Sequence, residues 1–100
     1  MDLNQNFTRK IGKKMNLIDM NKDIINFKCN FSVISDKTFK AVVITQEQLD
    51  NSDFKIEYQD VKNGTLNGSF ENVNNVYYNY CLLLKADEEI TVNVKINILL

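Results

Sequence analysis

The chain has no histidine and no proline, and only three glycines and two cysteines among its 100 residues. Without histidine there is no Ser-His-Asp or Cys-His nucleophile activation, no imidazole proton transfer and no use of the commonest metal ligand. The glycines stand apart at Gly12, Gly64 and Gly68, so no glycine-rich phosphate loop exists and nucleotide chemistry is not expected. Cys29 and Cys81 cannot by themselves supply the four ligands of a structural zinc site, and no carboxylates have the spacing of a calcium loop. Asp87-Glu88-Glu89 reads as a solvated turn, and Glu57 and Glu71 sit on the polar faces of short strands, a setting that does not suit the paired carboxylates of glycoside cleavage. The expectation is a protein that is not an enzyme, with no catalytic residue, no metal site and no cofactor. Long apolar runs are also missing. None approaches the ~18–20 residues that span a bilayer, and the N-terminus has no secretory h-region. A cytoplasmic location is expected, where the two cysteines are free thiols rather than a disulfide.

What is present suits a folded domain. Hydrophobic residues make up 44% of the chain and charged residues 25%, too apolar for a disordered segment and of a size for one core. The net charge of −1 conceals an asymmetry: residues 1–40 carry eight basic against four acidic groups, and residues 41–100 four against nine. Arg9, Lys10, Lys13 and Lys14 form a basic cluster suited to phosphate, an acidic partner or an anionic membrane, and equally to a solvated arm. Asparagine occupies fifteen positions, a bias that AT-rich coding DNA produces.

Period-two alternation dominates from residue 25 onward. Ile25, Phe27, Cys29, Phe31 and Val33 share one strand face; Phe39, Ala41 and Val43 share another, with Val42 and Ile44 behind them, as in an inner strand covered on both sides. Thr45-Gln46-Glu47-Gln48 fits a capping box opening a single helical turn. Phe54, Ile56 and Tyr58 resume the alternation. Lys62-Asn63-Gly64 then reads as a three-residue hairpin loop that sets Val61 against Thr65 and Phe70 against Ile56. Val76 to Lys85 is nearly continuous in apolar and aromatic residues, and Ile90, Val92, Val94, Ile96, Ile98 and Leu100 face the core from the last strand. Tyr78 and Tyr80 share the face of Leu82 and Leu84, which leaves Tyr77 as the candidate interface residue.

Closely spaced strands without a long helix predict an all-β fold, an antiparallel β-sandwich of six to eight strands. Residues 1–23 are expected to be a basic N-terminal arm or an extra strand, and residues 24–100 the sandwich domain. The stretches Phe31 to Asp36, Val42 to Asp50 and Val76 to Asp87 resemble small β-domain proteins of large DNA viruses and virophages. Phe31 to Asp36 together with Thr91 to Ile96 is also similar to GOLD-type β-sandwiches. These resemblances imply a jelly-roll or GOLD-like sandwich serving as a structural or protein-interaction module, virion-associated or in the host cytoplasm. Its expected partner is protein, with the chain itself as homo-oligomer. The alternatives are a lipid, glycan or peptide carrier, or nucleic-acid binding through the four basic residues.

Overall fold

A computed structural model describes residues 4–22, 24–73 and 78–100. The elements are β1 (Gln5–Ile11), β2 (Asn16–Asp19), β3 (Phe27–Ile34), β4 (Phe39–Thr45), α1 (Gln46–Asp50), β5 (Gln59–Val61), β6 (Thr65–Asn72), β7 (Tyr80–Lys85) and β8 (Ile90–Leu99). They form two four-stranded antiparallel sheets, the first in the order β1-β8-β3-β6 and the second in the order β2-β7-β4-β5. The chain is an all-β sandwich. Among the described residues, no helix is long and apolar enough to cross a membrane.

Alternation decides what lies between the sheets. Cys29 and Val33 of β3, Phe39 and Ala41 of β4, Leu82 and Leu84 of β7, and the run Val92, Val94, Ile96 of β8 are all buried in one core. The last strand keeps its expected inward face through Ile98, but Leu100 lies beyond the strand and is 82% exposed. Ile25 is likewise outside its strand: Asn26 takes a left-handed φ of 54° and breaks the extended backbone just before Phe27.

The second sheet has a roof. Its outer face carries Ile44, Cys81 and Leu83, covered by Leu49, Phe54, Ile56 and Tyr58 from the segment between β4 and β5. The predicted capping box starts this segment: Thr45 Oγ1 accepts from the Gln48 N–H at 3.1 Å, and Gln48 Oε1 accepts from the Thr45 N–H at 2.9 Å. Phe54, Ile56 and Tyr58 share a face as expected, yet they belong to no strand and pack as a covering strap. Lys85 Nζ closes its rim, 4.4 Å from the Tyr58 ring centroid.

The expected hairpin at Lys62-Asn63-Gly64 does not form, because the chain changes sheet at nearly every turn. Val61 does not turn back on Thr65, because β5 pairs with β4 in the second sheet and β6 with β3 in the first. Gly64 makes that crossing with φ +79°, and a Cβ there would collide with the Ser35 carbonyl oxygen, whose own N–H donates to Gly64 O at 2.7 Å. Of the two alternatives for residues 1–23, an arm or an extra strand, the structure has strands. β1 pairs with β8 and β2 with β7, one strand in each sheet, so the division after residue 23 cuts through the sandwich.

At the end opposite those crossings, fully buried Asn21 ties the β2–β3 connection to the start of β7. Its Nδ2 donates to Ile24 O at 3.0 Å and Tyr78 O at 2.8 Å, and its Oδ1 accepts from the Tyr80 N–H at 2.8 Å. Asn21→Ala removes all three bonds and strands buried backbone groups, so unfolding free energy should fall by about 2–4 kcal/mol. A urea midpoint that does not move would show the tie to be dispensable. At the C-terminus, Ile98→Ala should cost about 2–4 kcal/mol and Leu100→Ala less than about 0.5; equal losses in the same titration would contradict the observed burial.

Candidate functional site

The basic residues diverge. On β1, Arg9 lies on the inward-facing side opposite Val92, its guanidinium carbon 5.2 Å from the Phe7 ring centroid. Lys10 points the other way, with Nζ 4.0 Å from Glu89 and both side chains about three-quarters exposed, a pair of little energetic weight. Lys13 and Lys14 are exposed in the turn between β1 and β2. That end of the sandwich also carries a groove lined by Asp36, Lys37, Lys62, Asp87 and Glu88, so positive charge is interleaved with negative. Arg9 and Lys10 thus face opposite sides of the first sheet. Tyr77 lies outside the described residues. Among those described, no group of three or more Cys, Asp or Glu side chains is placed to hold a metal ion.

The two thiols are separated by the architecture. Cys29 sits on the inner face of the first sheet, whereas Cys81 sits under the roof of the second, its Sγ donating to Gln46 Oε1 at 3.5 Å; both are free and buried. Burial pushes the Cys29 pKa up to about 11. It also raises that of Cys81, where the carboxylates of Asp19 and Asp50 add to the effect.

A different feature concentrates apolar surface on one open side. The edge strand β6 runs for eight residues, but β5, the second sheet's edge on that side, has three and pairs only with Phe39, Lys40 and Ala41. The inner face of β6, with Leu66, Gly68 and Phe70, is therefore only partly covered. A cleft of about 330 Å³ opens there between Phe31, Val43, Gly68, Phe70 and Tyr80, with Thr45, Gln48 and Ser69 among its lining. Its aromatic wall is continuous: Phe70 and Tyr80 have ring centroids 4.6 Å apart, and Phe31 lies 6.4 Å from Phe70. Phe31 rests directly on Gly68, where any Cβ would strike its ring. Tyr80 anchors the floor, its hydroxyl donating to Asn72 Oδ1 at 3.4 Å; burial, and secondarily Tyr78, raises the phenol pKa.

The sequence carried a signal for this cleft in Gly68. A glycine inside a strand marks close approach of another group, here a ring across the β3–β6 pair. The other face of the first sheet is largely polar, with Asn6, Lys95, Ser32 and Asn67 in one cross-strand row and Asn97, Asn30 and Ser69 in the next, and Ile34 and Leu99 at its ends. Five of the fifteen asparagines, Asn6, Asn30, Asn67, Asn93 and Asn97, fall on this surface.

Comparison with protein-family models and with curated proteins found no match. The site's chemistry is therefore read from its own geometry, which provides apolar contact and an open strand edge.

The buried thiols make a direct forecast. With a pKa of about 11, Cys29 near pH 8 holds about one thiolate per thousand molecules, so a thiol-specific disulfide reagent should leave native protein unmodified and titrate both cysteines after denaturation. Folding raises this pKa from 9.0, so stability should decline as pH rises from 9.0 towards about 11. Rapid labelling of native protein would contradict the burial of both groups.

Proposed function

We propose that this chain is a non-enzymatic structural domain of the jelly-roll type that works by binding protein, itself included, in an assembly such as a virus particle. The strand orders β1-β8-β3-β6 and β2-β7-β4-β5 support the fold assignment, because two four-stranded sheets exchanging successive strands are the jelly-roll arrangement. That architecture builds viral capsids as well as lectins and cupins, so function rests on the site and not on the fold. The virion setting rests on the resemblance of Phe31 to Asp36, Val42 to Asp50 and Val76 to Asp87 described above.

One observation carries the reading. Eight residues of β6 form a sheet edge whose inner face, Leu66, Gly68 and Phe70, is incompletely covered by the chain itself. A partner strand would satisfy the edge and complete the cover.

A second reading draws on the cleft alone. A volume of about 330 Å³ with aromatic walls suits a small apolar ligand, which would make the domain a carrier. Sedimentation velocity from micromolar to millimolar protein separates the two. The structural reading expects a reversible rise in sedimentation coefficient with concentration. A chain that stays monomeric throughout and binds a lipid or glycan in a screen is a carrier instead.

A further inference from the structure

We infer that β6 is a homodimerisation edge, pairing antiparallel with β6 of a second copy about a two-fold axis at Gly68. This rests on the association reading above and names its interface.

The four sheet edges are unequal. β2 and β5 are four and three residues long, too short to template much pairing, and β1 carries Arg9 and Lys10 side by side. Shortness and charge are the usual protections of an edge. β6 has neither: its eight residues, Thr65-Leu-Asn-Gly-Ser-Phe-Glu-Asn72, include one charge, Glu71.

The sequence of β6 is complementary to itself. A two-fold axis perpendicular to the sheet pairs only positions of equal parity, so that inner faces meet inner faces. Centred on Gly68, it sets Phe70 of one copy against Leu66 of the other, Ser69 against Asn67, and Glu71 against uncharged Thr65. Both large apolar side chains of the inner face thus acquire a partner, and no like charges oppose. Moving the axis to Asn67 or Ser69 places Phe70 against a glycine, Gly64 or Gly68, and loses that contact. The paired first sheets would form one continuous eight-stranded sheet, with the two apolar clefts meeting along the seam. Association by strand pairing also spares the outer polar rows, whose amides would lose water if two such faces packed together.

Asn67 and Ser69 are exposed on the outer face, so they can be changed without touching the core. The double variant Asn67→Glu, Ser69→Glu puts carboxylates opposite one another twice per dimer and should weaken association about tenfold or more. Asn67→Lys, Ser69→Lys should do the same, and mixing the two variants should restore a dimer in sedimentation velocity. Asn67→Cys with Ser69→Cys supplies an independent readout. The two positions on one strand stand about 7 Å apart, beyond disulfide reach, so mild oxidation should yield a covalent dimer, while Cys29 and Cys81 stay buried. Dimers that persist unchanged in both charged variants would overturn β6 pairing while leaving the association reading intact. A wild-type chain that remains monomeric to millimolar concentration, with a double-cysteine variant that forms no cross-link, would overturn both. If that monomer instead binds an eight-residue peptide of alternating Leu and Thr through β6, the occupant is a partner strand and self-pairing is refuted.

Discussion

The first sheet depends on β8. This strand pairs with β1 at seven positions and with β3 at seven, and its inward residues Ile90, Val92, Val94, Ile96 and Ile98 run the length of the core. Its partners come from the beginning and the first third of the chain, so the sheet cannot close until the last ten residues are in place. In the second sheet β7 plays the same part, pairing with β2 on one side and β4 on the other. Every sheet neighbour except β4–β5 is distant in sequence. Folding must close large loops before contacts repay the lost entropy, which places this domain among slow folders for its size.

That topology also explains what could be read from the residues and what could not. Alternation is a local property, and it located β3, β4 and β8, the inward faces of Cys29, Phe31 and Val33, and both faces of β4. The capping box is equally local and appears as predicted at Thr45 and Gln48. Pairing is not local. The turn at Lys62-Asn63-Gly64 has the composition of a hairpin, and nothing in those three residues distinguishes a return in the same sheet from a crossing to the other. What distinguishes them is the Ser35 backbone packed against Gly64, contributed from almost thirty residues away. The residues of β1 read as either arm or strand for a related reason: the inward face alternates Gln5, Phe7, Arg9, Ile11, and only Ile11 is fully buried, because an edge strand tolerates polar groups on its inner side.

The same distinction governs the candidate site. Basic residues close in sequence read as one patch, but a strand sends Arg9 and Lys10 to opposite faces, and Arg9 spends its guanidinium over Phe7. Conversely, Phe31, Val43, Gly68, Phe70 and Tyr80 come from four strands and meet only in the folded protein. Gly68 was the one local hint, a missing side chain within an otherwise ordinary strand. The cleft exists because β5 is short, a property that cannot be seen in β6 at all.

The two sheets solve the problem of their outer faces differently, and this bears on how the domain can meet a partner. The second sheet is apolar on both sides, and the strap of Leu49, Phe54, Ile56 and Tyr58 covers its outer face from within the same chain. The outer face of the first sheet is mostly asparagine, serine, threonine and lysine, and its exposed apolar side chains, Ile34 and Leu99, lie apart at opposite ends of the β3–β8 pairing. Neither broad face therefore offers a strong drive to association: one is already occupied and the other is well solvated. What remains is the periphery of the first sheet, where backbone groups on the outer side of β6 lack a strand neighbour among the described residues and the inner face is half covered. An added strand there satisfies hydrogen-bonding groups and buries apolar surface in one step. The unequal lengths of β5 and β6 thus concentrate the domain's capacity for association on a single edge.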